Sequence, residues 1–232
     1  GRGRLQHVTT AVDIVIPTLN AGTTLARTLT ALPTHPDLAF STTICDGGSR
    51  DDTVAIARQA GAAVVTAPAG RGGQLATGAA AGRAPWILFL HADTRLGGGA
   101  GNVIARFVGS IADKAGYFDL RFDADEAGAR RVERLVAWRC RTFGLPYGDQ
   151  GLLISRAHYE RLGGFRPLPL MEDVDLVRRI GRDNLAPLGA DAITSAARYR
   201  RDGWWLRPLL NLSCLTLYFA GVAPRTLRRL YG

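Results

Sequence analysis

The stretch Trp86-Ile87-Leu88-Phe89-Leu90 is an unbroken apolar run with no period of two, the pattern of a strand buried on both faces. It stops at His91-Ala92-Asp93-Thr94, which sets two potential metal ligands two residues apart at its carboxyl end. Alternation along an extended chain would put His91 and Asp93 on one side. Shorter runs repeat the theme upstream. Val12-Asp13-Ile14-Val15-Ile16 reads as a first strand ending at Pro17, Thr42-Thr43-Ile44-Cys45 as a second and Ala62-Ala63-Val64-Val65 as a third. Between them Leu25, Leu29 and Leu32 recur at helical spacing behind Thr23 or Thr24. A second helix is expected from Asp51-Asp52 and an Ala/Gly-rich third from about Gln74 to Arg83. Strands and helices alternating over short connections predict a mainly parallel sheet with right-handed crossovers, Rossmann-like in its first half.

Beyond Asp93 the pattern loosens. Residues 103–112 predict a helix, and Tyr117 to Phe122 a strand with Phe118, Leu120 and Phe122 on one face. Arg130 to Phe143 is amphipathic, and the loop Tyr147-Gly148-Asp149-Gln150-Gly151 enters a short strand at Leu152-Leu153-Ile154. A short helix should end at Gly163-Gly164-Phe165. Another opens at Met171-Glu172-Asp173-Val174-Asp175, where acids also suit the helix macrodipole. From Leu209 to Ala223 the chain is almost wholly apolar, between Arg207-Pro208 and Pro224-Arg225, with Arg228 and Arg229 beyond. The run is shorter than the about 20 residues that span a bilayer. With Trp204 and Trp205 ahead of it, it suits a segment lying in a membrane interface. A terminal helix packed on the sheet, or on a second copy of the chain as a homodimer, is the alternative. The expected division is therefore 1–203 and an apolar, basic helical tail at 204–232.

At 232 residues, 47% hydrophobic and 21% charged, the chain has an ordinary globular composition and room for one sizeable α/β domain. The net charge of +9 is almost all arginine, since Lys114 is the one lysine. Arginine forks suit diphosphates and anionic surfaces. These arginines are dispersed, however, and no nucleic-acid module is recognisable, so nucleic acid is not an expected partner. Cys45, Cys140 and Cys214 fit neither a disulfide framework nor a zinc site, which points to a reducing cytoplasm. No signal peptide is recognised ahead of the first strand. Gly1 to Arg4 are set aside as a trimmed terminus.

Five motifs then stand in order: Ile16-Pro17-Thr18-Leu19-Asn20, Asp46-Gly47-Gly48-Ser49-Arg50-Asp51-Asp52-Thr53, His91-Ala92-Asp93-Thr94, Gly163-Gly164-Phe165 and Glu172-Asp173. The set resembles family 2 glycosyltransferases of the GT-A fold over roughly residues 12–185. Within that family it looks most like the small bacterial branch labelled as arsenosugar-biosynthesis glycosyltransferases, by Gly148-Asp149-Gln150 ahead of the Gly-Gly-Phe turn and by the tail Arg225…Leu230-Tyr231-Gly232. The resemblance implies a GT-A-like domain that moves a sugar, hexosyl by default, from a nucleotide-diphosphate sugar to an acceptor hydroxyl with inversion. It implies that Pro17, Thr18 and Asn20 line the nucleotide pocket and that Asp46 accepts from the base, which makes a UDP-sugar the default donor. Arg71 and Gln74 are implied as diphosphate or ribose contacts. Asp93 would hold Mn²⁺ or Mg²⁺ between the phosphates. His91 stands where the family's D-x-D has its first acid, as a metal ligand or a phosphate contact. Asp173 would be the base that takes the acceptor proton, with Glu172 orienting the acceptor and Asp149 and Gln150 lining its side. Arg198, Arg200 and Arg201 are candidates to assist at the diphosphate. The acceptor is a small molecule or lipid-like, and the enzyme is expected in the cytoplasm, peripheral to the inner face of the membrane.

A dinucleotide-binding oxidoreductase is disfavoured by the turn Pro17-Thr18-Leu19-Asn20, which has no G-x-G-x-x-G. A nucleotidyltransferase lacks its glycine-rich basic loop after the first strand. A non-catalytic sugar-nucleotide binder or membrane-bound scaffold, motivated by His91 and the apolar tail, is the reading from another class.

Overall fold

The structure, a computed structural model, describes residues 9–110 and 113–231. Gly1 to Arg4, the last two positions of the helix expected over 103–112, and Gly232 lie outside them. Four parallel strands form one half of the sheet: β1 (Thr10–Thr18), β2 (Leu38–Asp46), β3 (Ala63–Thr66) and β4 (Trp86–Phe89). They are joined through α1 (Leu25–Thr30), α2 (Thr53–Gln59) and α3 (Arg71–Ala81), as the apolar pattern predicts.

β4 is buried at all four positions because both its faces are covered. Trp86 and Leu88 join the core under α1, α2 and α4 (Ala100–Ser110). Ile87 and Phe89 join the opposite core, under α3, α6 (Arg156–Arg161) and α7 (Glu172–Ile180). The first strand runs past its expected end to Thr18 and includes Pro17, paired with Cys45. Val15 C=O accepts from Leu90 N on the β4 side, so Pro17, two residues on, aims its missing N–H beyond the end of β4. No ladder bond is lost there.

The eight-stranded sheet has the order β3-β2-β1-β4-β7-β6-β8-β5, with β5 (Thr94–Leu96), β6 (Ala115–Phe122), β7 (Leu152–Ser155) and β8 (Leu185–Thr194). β7 is antiparallel to β4 and β6, and β5 to β8, while β6 and β8 run parallel. The sheet is thus mixed but mainly parallel, flanked by helices. Two features depart from the sequence pattern. His91 and Asp93 lie in a turn, closed by Thr94 N to His91 C=O, and not on an extended strand. The register of β6 with β8 shifts between Tyr117 and Asp119, where β8 holds the extra residues; there Phe118 joins the α1/α4 core, while Leu120 and Phe122 face α5 (Ala127–Phe143). The three aromatic and aliphatic residues therefore do not share one face.

The apolar tail is two helices, α9 (Leu206–Phe219) and α10 (Pro224–Tyr231), preceded by α8 (Ala197–Asp202). Trp204 stacks on Tyr199 and meets Phe122 edge-on, so a boundary between 203 and 204 cuts through a packed aromatic cluster. Among the described residues no helix is long and apolar enough to cross a membrane.

Candidate active site

The carboxyl ends of β1 and β2 are laced together by side-chain to backbone bonds. Asn20, held at φ 51°, accepts from Arg50 N (2.9 Å), and its own N–H donates to Ser49 Oγ (2.8 Å). Asp46 is buried and accepts from Thr18 Oγ1, Gly48 N, Ser49 N and Ser49 Oγ, all at 2.5–2.9 Å. Burial pushes its carboxyl up, but the bonds from Ser49, Thr18 and Gly48 outweigh this and hold it below its ordinary value. Four donors fill a carboxylate. Asp46 is thus the knot of the loop, and a base N–H would have to displace one of its donors.

Gln74 has a similar part. Its buried amide donates to Thr18 C=O (2.7 Å) and Cys45 C=O (2.8 Å) and accepts from Gly70 N, so it ties α3 to the strand ends. Of the expected nucleotide set, Thr18 is buried, Pro17 is half-buried, and Asn20 and Arg71 present themselves to solvent.

The chemistry collects one step along the sheet. At the carboxyl ends of β4, β6 and β8, a cavity of about 150 Å³ is lined by His91, Asp93, Asp149, Glu172 and Asp173. Arg71, Arg198 and Arg207 line it with them. Carboxyl strand ends are where open α/β sheets bind ligands. The volume is below the roughly 300–1,000 Å³ of a full ligand pocket, so it suits only the reacting end of a large substrate. Asp93 has no hydrogen bond or ion pair among the described residues. Gly148 makes room for the cluster: a Cβ there would stand 2.5 Å from His91 Nε2. Its N–H donates to Asp173 Oδ2 (2.8 Å), and Asp173 Oδ1 accepts from Val174 N (2.8 Å). Met171, at φ 65° just before Glu172, is one of two non-glycine residues with positive φ among the described residues, the other being Asn20. Backbone strain of this kind collects at functional sites, and here both instances border the cleft loops.

Electrostatics separates these groups. Burial, with Arg71 and Arg198 nearby, pushes the His91 imidazole well below its ordinary value, so it is neutral near pH 7. Burial pushes Asp149 up to about 6, with Asp173 and Asp93 adding to the effect against Arg139 and Arg71. Asp149 Oδ1 is buried without a hydrogen-bond partner. Burial also raises Glu172 to about 7, Asp173 adding and Arg71, 3.3 Å away, opposing. A folded carboxyl raised above its ordinary 4.5 holds a proton that the unfolded chain has released. Stability therefore falls as pH rises between these two values. The melting temperature should drop from about pH 5 to about pH 8, and Glu172→Gln should flatten that slope. An unchanged slope in Glu172→Gln would place the titrating group elsewhere.

Two further expectations are settled by position. Gln150 is buried and spends its amide on Phe118 C=O, Tyr147 N and Arg139, so it braces the loop and does not line an acceptor side. Of the three arginine candidates, Arg198 lines the cavity, while Arg200 pairs with Glu126 and Arg201 with Asp202. Asp175 pairs with Arg166 and Arg179, away from the cavity. Sequence reasoning missed Arg207 and Asn211 on α9, and Tyr199 and Ser195, all of which line the cavity. Arg207 carried the one available signal, a charge set just inside an apolar run.

Residues 13–127 match the family model described as glycosyl transferase family 2. Over that stretch, just under half of its length, the chain is similar to a family 2 glycosyltransferase domain. No curated protein matches the sequence. Among solved structures, S. aureus TarS 1-349 in complex with UDP-GlcNAc is 12% identical with a TM-score of 0.63, covering 80% of this chain and 58% of its own. Glucosyl-3-phosphoglycerate synthase from Mycobacterium tuberculosis, in complex with Mn²⁺, UDP and glucosyl-3-phosphoglycerate, is 22% identical with a TM-score of 0.53, covering 80% and 70%. At these identities the likeness establishes the GT-A-like fold. The chain spans little more than half of the TarS fragment. Among the described residues of this glycosyltransferase domain, no group of three His, Cys, Asp or Glu is placed to hold a metal.

Proposed function

We propose that the chain is a metal-dependent, inverting glycosyltransferase that moves a sugar from a UDP-sugar to an acceptor hydroxyl. The observation that carries this reading is one cavity at the strand ends that gathers Asp93, Asp149 and Asp173 with Arg71 and Arg198. With Asp46 occupied by its own loop, UDP rests on the two solved relatives, whose complexes hold UDP-GlcNAc and UDP. The branch within the family, and with it the sugar and the acceptor, rests on the sequence resemblance alone.

The residues fit a divalent cation. Asp93 offers an unpartnered carboxylate, His91 a neutral imidazole, and Gly148 keeps the space beside His91 Nε2 open. Two protein ligands are too few for a closed site but suit a cation that takes its other oxygens from substrate phosphates and water, Mn²⁺ tolerating the imidazole better than Mg²⁺. Such a cation, when bound, neutralises charge growing on the leaving diphosphate. Arg71, at the N-terminus of α3, and Arg198 supply fixed positive charge to the same end. Asp173 takes the proton of the acceptor hydroxyl as that oxygen attacks the anomeric carbon from the face opposite the diphosphate, a single displacement that inverts configuration. Glu172 orients the acceptor. A second assignment of the base has an observation of its own: Asp149 borders the same cavity, and its Oδ1 has no partner.

UDP with Mn²⁺ should raise the melting temperature more than UDP alone, and Asp93→Ala should remove the metal-dependent part. If Asp93→Ala keeps it, the cation site lies elsewhere. If UDP binds but no UDP-sugar is ever turned over, the chain is a sugar-nucleotide binder.

A further inference from the structure

Helix α9 is turned inside out. Its buried stripe includes Arg207 and Cys214, with Asn211 also turned to the cavity, while Leu206, Leu209 and Leu212 stand 54–60% exposed on the outer side. An isolated exposed leucine needs no explanation, but a row of them opposite an inward arginine does. The row continues onto α5, whose Leu135, Trp138 and Phe143 are each just over 50% exposed. The two helices approach each other at both ends. The Arg131 guanidinium lies 3.5 Å over the ring of Trp205, which is 72% exposed, and Phe143 and Phe219 line one groove. Exposed apolar residues thus stand on two neighbouring helices and not on the tail alone.

Charge identifies what covers it. Besides the inward Arg207, residues 203–232 hold three arginines, Arg225, Arg228 and Arg229, and no Asp or Glu. On α5 the exposed Arg134 and Arg141 flank the apolar residues, and its one acid, Glu133, is buried and paired with Arg121 and Arg130. A two-fold contact with a second copy would set these arginines against their own equivalents with no carboxylate from residues 203–232 to relieve them. An anionic bilayer satisfies both parts at once, the acyl boundary taking the leucines and tryptophans and the headgroups taking the arginines. We infer that the α5/α9 surface docks this protein on an anionic lipid membrane. The surface stands apart from the chemistry of the cavity, so its test does not depend on the donor or the acceptor.

The test is co-sedimentation of the full chain with vesicles of phosphatidylcholine alone and of phosphatidylcholine with phosphatidylglycerol. Binding is expected only with the anionic vesicles and should weaken as salt is raised. The exposed-face variants Leu209→Ser with Leu212→Ser, and Trp138→Ser, should each lower it, the double variant by roughly ten-fold or more. Thermal melts check that both variants stay folded, and UDP binding without vesicles reads the nucleotide site separately. Absence of binding to anionic vesicles at low salt overturns the inference. So does a concentration-dependent dimer, seen by light scattering, that the same leucine changes dissolve.

Discussion

Asp173→Asn should lower turnover on the order of 10²–10⁴-fold and leave donor binding nearly unchanged. The amide keeps the shape of the carboxylate and can still accept from Gly148 N, the 2.8 Å bond that joins the start of α7 to the loop at Gly148. It cannot take a proton. The neighbours make the comparison sharp. Glu172→Gln should raise KM for the acceptor more than it lowers kcat, since Glu172 only orients. Asp175→Asn should cost stability and spare catalysis, because Asp175 is buried between Arg166 and Arg179 and absent from the cavity. Asp149→Asn decides the base. If it loses as much rate as expected for Asp173→Asn, and Asp173→Asn does not, the proton goes to Asp149. The measurement is UDP release from donor and acceptor, with UDP affinity taken in parallel by thermal shift.

That His91, Asp93 and Asp173 would gather at one cavity was legible because the carboxyl ends of strands announce themselves. An apolar run that stops at His91-Ala92-Asp93 marks the end of β4, and acids opening α7 line the same cavity. The roles of polar residues one step back were not legible. Asp46, Gln74 and Gln150 have the composition of ligand contacts, yet each is buried and spends its bonds on backbone. Whether an amide faces a ligand or a carbonyl depends on loop closure, which leaves no period in a sequence. β8 was missed for a similar reason. Its Pro187 and Gly189 read as loop, but they sit where its register with β6 shifts, between Pro187 and Asp191. The wall it carries, Thr194 and Ser195, went with it. Helix α9 hid the opposite way: its leucines read as a core or interface stripe, and only the structure shows the polar side turned inward.

Asp13→Ala should cost about 3–5 kcal/mol of folding stability, the penalty for breaking a buried ion pair on one side. Asp13 is 5% exposed in the centre of β1, where the apolar pattern wants a branched aliphatic residue. It accepts from Arg156 Nη2 at 2.7 Å, Ala84 N at 2.8 Å and Ser41 Oγ at 2.5 Å. Arg156 in turn donates to Ala84 C=O and Ala79 C=O, so one guanidinium joins β1, the end of α3, the entry to β4 and the start of α6. Removing Asp13 leaves that charge in place with its carbonyl partners but without its counter-ion, and strands the Ala84 N–H as well. Replacing both, with Asp13→Leu and Arg156→Met, should cost much less than Asp13→Ala, because no charge is then left behind. Urea unfolding of the single and double variants reads the difference. Since the pair lies outside the cavity, UDP binding by the folded fraction should be unaltered. A single-variant cost below about 1 kcal/mol would mean that water reaches Arg156 and that the pair is no more than a surface salt bridge.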